Sequence, residues 1–163
     1  MFHLLSGPAG GYRDGMSCHF RTTRRVEFCE TDLAGIVHFA NFYRYMEQAE
    51  HEFFRSLGLK IAGKLPDGQP FGWPRVTASC SFSAPARYED IVEARLTILR
   101  RGARSLTIRY EFFRDDQPLA TGEMKTVFCE LSPETGMKSV DMPADYAAAL
   151  DRAAGVLAAG ETV

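Results

Sequence analysis

The chain has 163 residues, of which 45% are hydrophobic and 25% charged, proportions typical of a globular domain and not of a disordered chain. Its 19 basic and 21 acidic residues give a formal net charge of −2, so no basic excess is available to neutralise a nucleic-acid backbone. No apolar run is long enough to span a membrane. The composition therefore predicts a soluble, cytoplasmic protein with neither a nucleic-acid partner nor a membrane span.

The N-terminal residues differ in composition from the rest. Residues 1–18 are rich in glycine and lack hydrophobic periodicity, which predicts a flexible leader. Met16 is an alternative start, which would leave residues 1–15 outside the native protein. We expect a single folded domain over residues 19–160.

The first predicted elements are a strand and a long helix. Phe20–Phe28 alternates with a period of two, which is typical of a half-buried strand, and a loop over Cys29–Gly35 follows. Asn41–Leu57 then has apolar residues at helical spacing, with Asn41 as the predicted N-cap and Gly58 as the stop. The stripe consists of Phe42, Tyr45, Met46, Ala49, Phe53 and Leu57.

The second half of the chain is dominated by predicted strands. After a Gly- and Pro-rich loop over 60–72, the period-two pattern returns in several consecutive segments. A hairpin turn is predicted at 115–118, and a short helix over Ala144–Ala159 follows Pro143. The predicted strands are 76–82, 92–98, 106–112, 119–131 and 137–140. Because short turns join them, we expect an α+β protein whose antiparallel sheet of about five strands is covered by the long helix.

The cysteines and histidines do not suggest a metal or redox centre. The four cysteines form no C-x-x-C pair, and Cys29, Cys80 and Cys129 lie in strand-like runs, where buried reduced thiols are expected. Glu47 and His51 would share a helix face but lack a third ligand. No metal site and no cofactor are predicted.

The segment from Arg25 to Phe42 carries the chemical interest. A strand ends, Asp32 follows in a turn, Gly35 allows close backbone approach, and a helix begins. The first amides of a helix have no internal acceptor and carry partial positive charge, so free amides over 37–39 could bind a carbonyl oxygen that becomes negative. A carboxylate beside such donors supplies the parts for acyl transfer, although an Asp before a helix is more commonly a cap or turn residue.

This segment resembles the fingerprint of the 4-hydroxybenzoyl-CoA thioesterase family, whose members have the hotdog fold. Residues 30–42 read Glu-Thr-Asp-Leu-Ala-Gly-Ile-Val-His-Phe-Ala-Asn-Phe, and the resemblance extends over roughly residues 20–142. It implies a hotdog domain, with a long central helix wrapped by the antiparallel sheet. It also implies an enzyme that hydrolyses an acyl-CoA thioester with an aromatic or short acyl group.

The resemblance assigns roles to individual residues. Asp32 would be the catalytic carboxylate, acting as a nucleophile or as a general base, while Gly35 and the Phe39 amide would accommodate the thioester. His38 takes an aromatic position of the motif and is not carried over as catalytic. The expected substrate-binding residues are Val37, His38, Thr77, Ser79, Arg101 and Arg104. Acyl-pocket aromatics are expected among His38, Phe42, Tyr45 and Trp73.

The assembly and two alternatives complete the hypothesis. The resemblance implies a homodimer that pairs into a homotetramer, with the site between subunits and the CoA phosphates near the basic run 100–104, which could equally be a solvated bend. One alternative is a non-catalytic module on the same fold that binds acyl-CoA or an acyl-carrier protein. The other is a hydratase, whose Asp and His motif is not found here.

Overall fold

The computed structural model describes residues 18–155. Each terminal prediction lies partly or wholly outside that range, namely the leader over 1–18, the start at Met16 and the last residues of the predicted C-terminal helix. Neither helix of the described chain is long and apolar enough to cross a membrane.

The described residues form nine strands, two α-helices and one 3-10 helix. The helices are α1 (Ala40–Ser56), α2 (Ala144–Ala153) and a 3-10 turn (Phe28–Glu30). The strands are β1 (Phe20–Arg25), β2 (Ala62–Lys64), β3 (Pro70–Gly72), β4 (Arg75–Phe82), β5 (Ile91–Arg101), β6 (Ser105–Arg114), β7 (Gln117–Val127), β8 (Cys129–Ser132) and β9 (Gly136–Ser139).

A five-stranded antiparallel sheet wraps α1. Its order is β1-β5-β6-β7-β4, so β4 and β1 form its two edges. The sheet-facing side of α1 is fully buried at Met46 and Phe54, and the predicted apolar stripe therefore fills the core, with only Leu57 partly exposed. The α+β class and the helix-on-sheet arrangement are confirmed.

Strand β7 approaches the helix closely at Gly122. A Cβ atom there would lie 2.2 Å from Met46 Sδ and 3.0 Å from the Ser79 carbonyl oxygen. Gly122 also pairs with Cys80 on one side and Tyr110 on the other. The missing side chain is what lets Met46 pack directly on the strand.

A second, four-stranded sheet was missed by the sequence prediction. The segment 60–72, predicted as a loop, contains the hairpin of β2 and β3, which continues in the order β2-β3-β8-β9. The predicted strand 119–131 is divided at Phe128, whose amide donates to the Arg104 carbonyl and whose buried ring packs against Phe71 and Trp73. One long apolar run therefore contributes to two sheets.

Several predicted boundaries are corrected. The first strand ends at Arg25 instead of Phe28, because Glu27 and Glu30 form a capping box around the 3-10 turn that leaves Phe28 74% exposed. For the same reason Cys29, predicted to be buried, is exposed, whereas Cys129 is buried and Cys80 half-buried. The thiols of all three are free.

The ends of the helices are also adjusted. Phe39, not Asn41, occupies the N-cap position of α1, and Asn41 lies inside the first turn. Gly58 has φ +72° and ends α1 as predicted, and Gly155, with the same φ, follows α2 two residues after its last helical residue. The hairpin turn at Asp115 and Asp116 is confirmed, and both residues have positive φ, as a type I′ turn requires.

Candidate active site

The turn between the 3-10 helix and α1 presents Asp32. The Asp32 amide donates to the Ile36 carbonyl (2.9 Å), and the Gly35 amide donates to the Asp32 carbonyl (2.9 Å). Gly35 has φ +70°, a conformation that favours glycine. The turn is therefore built from short-range hydrogen bonds that hold Asp32 exposed at its corner.

The two carboxylate oxygens of Asp32 are in different situations. Oδ1 accepts a hydrogen bond from the Ala34 amide (2.8 Å), an Asx-turn contact that fixes the rotamer. For Oδ2 the described residues provide no donor. One oxygen is thus anchored and the other is available to a substrate or a water molecule.

The amides at the start of α1 are only partly available. The Val37 amide donates to the Ala86 carbonyl (2.8 Å) and the His38 amide to the Glu30 carbonyl (2.9 Å), so the expectation of three free donors is wrong for these two. Within residues 18–155 the Phe39 amide has no acceptor. It stands at the N-terminus of a 17-residue helix, where the aligned peptide dipoles favour negative charge.

Asp32 and Phe39 line one groove of about 460 Å³. Its opposite wall is the end of β4 and the connection that follows it, which come next to the turn through the Val37–Ala86 hydrogen bond. Apart from Asp32 and Ser83 the lining residues are apolar. The lining consists of Asp32, Ile36, Val37, Phe39, Phe42, Phe82, Ser83, Ala84, Pro85 and Ala86.

Of the aromatic side chains expected in the acyl pocket, Phe42 lines the groove, whereas Tyr45 and Trp73 lie outside it. Phe42 lines the groove and packs against Phe82, with ring centroids 5.3 Å apart. Tyr45 is buried, and its hydroxyl donates to the Glu30 carboxylate (2.9 Å). Trp73 follows β3 directly, outside any strand, and lies in a separate aromatic cluster with Phe54 and Phe128.

His38 lies beside the groove but is not part of its lining. Its imidazole is exposed and tilted against the Phe39 ring, with centroids 4.5 Å apart, and its Nδ1 accepts from the Ala40 amide (3.3 Å). The ring therefore acts as a cap on the first turn of α1.

The two polar candidates on β4 face away from α1. Thr77 pairs with Lys125 and Ser79 with Glu123, both on the exposed side of β7. Because side chains alternate along a strand, it is Ala78 and Cys80 that point towards the helix. Thr77 and Ser79 therefore lie on the face of β4 that is turned away from α1 of their own chain.

The basic candidates lie at the far end of the sheet. Arg101 and Arg104 flank the β5–β6 turn, and both are paired: Arg101 with Asp151 of α2, and Arg104 Nε with Asp141 Oδ1 (2.6 Å). β5 is 11 residues long, so at about 3.3 Å per residue its two ends are about 30 Å apart. Neither arginine reaches the Asp32 groove of its own chain.

Sequence reasoning missed two parts of the site. Residues 82–86 form the wall opposite Asp32, and the small residues and the proline that follow Phe82 are a weak local signal. The side-chain role of Glu30, described below, was also not predicted. Among the described residues no group of three or more His, Cys, Asp or Glu side chains could hold a metal ion.

A long helix wrapped by a curved antiparallel sheet, with a carboxylate at the helix N-terminus, defines a hotdog-fold protein. The family model of the thioesterase superfamily matches residues 34–121, and the chain belongs to that superfamily.

Individual relatives agree with this assignment. The chain is 28% identical over 129 residues to a 4-hydroxybenzoyl-CoA thioesterase from Pseudomonas sp. (76% of this chain, 91% of the relative). It is 30% identical over 126 residues to a 1,4-dihydroxy-2-naphthoyl-CoA hydrolase from Synechocystis sp. (76% and 90%). The crystal structure of a 1,4-dihydroxy-2-naphthoyl-CoA thioesterase from Synechocystis superposes with a TM-score of 0.71 at 28% identity, covering 88% of this chain and 98% of that one.

Proposed function

We propose that this protein hydrolyses acyl-CoA thioesters, with Asp32 as the reacting carboxylate and the Phe39 amide as the oxyanion donor. The observation that carries the proposal is the joint placement of two groups in one groove: among the described residues, Asp32 Oδ2 has no donor and the Phe39 amide has no acceptor. The chain belongs to the thioesterase superfamily, so the reaction we propose for this pair of groups is thioester hydrolysis.

The chemistry follows from the roles of the two groups. As the carbonyl carbon of the thioester is attacked, its oxygen becomes negative and is stabilised by the Phe39 amide and the helix dipole. Asp32 either attacks, forming an anhydride that water then hydrolyses, or removes a proton from an attacking water. In both cases the CoA thiolate leaves, and the products are the acid and free CoA.

An aromatic acyl group suits the groove. Its lining is almost wholly apolar and includes the rings of Phe39, Phe42 and Phe82, against which a planar acyl group can stack. The relatives named above act on 4-hydroxybenzoyl-CoA and 1,4-dihydroxy-2-naphthoyl-CoA, both aromatic thioesters. We therefore expect kcat/KM to be higher for benzoyl-CoA derivatives than for long-chain acyl-CoA.

The groove is best completed by a second copy of the chain. β4 is an edge strand whose Val76 and Phe82 are 54% and 49% exposed, and Phe82 also lines the groove. Pairing of two β4 edges about a twofold axis would extend the sheet and cover these side chains. We propose a homodimer that pairs further into a homotetramer. In this assembly Arg104 of a neighbouring copy contacts the CoA phosphates. Thr77 and Ser79 would contribute to substrate binding from the interface between copies.

The decisive test is Asp32→Asn. Asparagine keeps the acceptor for the Ala34 amide, so the turn should survive while the carboxylate is lost. We expect kcat for benzoyl-CoA to fall at least 100-fold. The rate is measured by the release of the CoA thiol. The matched control is Asp67→Asn, because Asp67 Oδ1 accepts from the Gln69 amide (3.0 Å) in the same kind of turn, in the β2–β3 hairpin.

Two outcomes would refute the assignment. Normal turnover by Asp32→Asn would remove the carboxylate from the mechanism. An inactive wild type across aromatic and aliphatic acyl-CoA substrates, together with tight CoA binding by calorimetry, would instead indicate the non-catalytic binding module.

A further inference from the structure

Glu30 connects three elements around the catalytic turn. Its carboxylate is only 13% exposed and accepts from Arg24 Nη2 of β1 (2.7 Å), from the Tyr45 hydroxyl of α1 (2.9 Å) and from the Glu27 amide (2.8 Å). Arg24 in turn lies over the Tyr45 ring, 3.9 Å from its centroid. We call this set of three side chains, Arg24, Glu30 and Tyr45, the Glu30 clamp.

The backbone of Glu30 holds the other arm of the same turn. Its carbonyl accepts from the His38 amide (2.9 Å) and from Asn41 Nδ2 (2.7 Å). Glu30 lies two residues before Asp32, and His38 directly precedes Phe39. One residue therefore fixes both the strand side of the turn, which carries the carboxylate, and the helix side, which carries the oxyanion donor.

The electrostatic balance of the clamp depends on the carboxylate. Hydrogen bonds to an ionised acceptor are stronger than neutral ones, and the three side-chain and backbone donors all point at the same group. Burial raises the pKa of Tyr45, and the hydrogen bond to Glu30 raises it further, so the hydroxyl remains a donor. Removing the negative charge would leave the Arg24 guanidinium, itself only 24% exposed, without its partner.

We propose that Glu30 is a positioning residue for thioester hydrolysis, setting the distance between Asp32 and the Phe39 amide. This inference rests on the proposed function, since it assigns Glu30 a task in the same site. Glu30 does not line the groove and does not act on the substrate. Its contribution is made through the geometry of the two reacting groups.

The test compares Glu30→Gln with Glu52→Gln. Glu52 is a suitable control because it also joins α1 to β1, through Thr22, and within residues 18–155 no hydrogen bond or ion pair joins its side chain to the turn. A misplacement of about 1 Å can cost about 100-fold in rate, so Glu30→Gln should lower kcat by about 10- to 100-fold and change KM by less than about 3-fold. Glu52→Gln should leave kcat within about 2-fold of the wild type.

A double variant separates positioning from general damage. If Glu30 acts through Asp32, adding Glu30→Gln to Asp32→Asn should lower the residual rate by less than about 2-fold. A further 10-fold loss in that background would overturn the inference, because the effect would then be independent of Asp32. Equal kcat losses in Glu30→Gln and Glu52→Gln would overturn it as well.

A second readout does not depend on turnover. Amide hydrogen exchange over residues 31–39 should be faster in Glu30→Gln than in the wild type and unchanged in Glu52→Gln. Tyr45→Phe removes one donor to Glu30 and leaves the ring, so it should increase the exchange rate by a smaller amount. It provides the same test if Glu30→Gln does not fold. Unchanged exchange in both clamp variants would refute the positioning role, whereas an inactive wild type with the expected exchange pattern would refute only the proposed function.

Discussion

Glu50 is buried in the middle of α1 and should make the protein less stable as the pH rises. The residue is 2% exposed, and its carboxylate contacts Arg75 Nη2 of β4 at 2.5 Å. Burial raises the pKa of Glu50 from its ordinary 4.5 to about 7; the Arg75 charge opposes this rise and nearby Glu47 adds to it.

The sign follows from proton linkage. Between pH 4.5 and about 7 the folded chain keeps a proton on Glu50 that the unfolded chain has lost, so raising the pH favours unfolding. The stabilising contribution is complete below pH 4.5 and is lost as the pH rises through about 7. At about 1.4 kcal/mol for each unit of difference in pKa, the loss amounts to about 3 kcal/mol.

The assay is urea unfolding of the wild type and of Glu50→Gln at several pH values from 5 to 8. Titratable groups that both proteins share contribute equally to the two curves and cancel in their difference. His51, whose pKa is lowered by burial, is one of these groups. We expect the free energy of unfolding of the wild type to fall relative to that of Glu50→Gln by about 2.5 kcal/mol over this range, since part of the loss occurs below pH 5.

Glu47→Gln is the matched control. Glu47 also contacts Arg75, at 3.4 Å, but its side chain is 47% exposed, so its removal should take away only its own part of the rise in the pKa of Glu50 and leave the larger part, which burial causes. Parallel curves for the wild type and Glu50→Gln would refute the reasoning. So would a wild type that gains stability relative to Glu50→Gln as the pH rises, since Arg75 would then outweigh burial.

Three further predictions concern packing, turn geometry and the substrate. Gly122→Ala should destabilise the fold by about 1–3 kcal/mol in thermal unfolding, because its Cβ would overlap Met46 Sδ. Thr121→Ala, on the exposed face of the same strand, should change the stability little. An unchanged melting temperature of Gly122→Ala would contradict the close helix–strand contact. Asp116→Gly should stabilise by about 0.5–1 kcal/mol by relieving φ +63°, with only an exposed ion pair to Arg95 lost, and a destabilised variant would show that this pair matters more than the backbone. Arg104→Ala should raise KM for acyl-CoA several-fold, more at low salt than at high salt, and leave kcat unchanged; a KM equal to that of the wild type would remove Arg104 from the CoA site.

The part of the site that is continuous in sequence, from Asp32 to the start of α1, was predictable because its contacts are local. The turn that presents Asp32, the positive φ of Gly35 and the helix that follows all depend on contacts within a few residues. The helix stripe was predictable for the same reason, since a spacing of three and four residues identifies one face. The closing wall at residues 82–86 depends instead on a hydrogen bond between Val37 and Ala86, which no local pattern indicates.

The orientation of β4 could not be predicted, for a different reason. The period-two pattern correctly separates Ala78 and Cys80 from Thr77 and Ser79, but periodicity does not say which set faces the helix. The structure gives the inner side to the small apolar residues, because Met46 and the other α1 side chains fill that space.

The same strand supports the proposal that a second copy of the chain completes the groove. An edge strand leaves its outer amides and carbonyls unpaired, and β4 in addition carries two half-exposed apolar side chains, one of them in the groove. If a second copy pairs there, Phe82 becomes buried and the groove narrows around the acyl group. Val76→Lys should then lower the mass in solution from a multiple of 18.2 kDa towards a single chain and reduce kcat/KM together with it. An oligomer that survives this substitution with full activity would place the partner on another face.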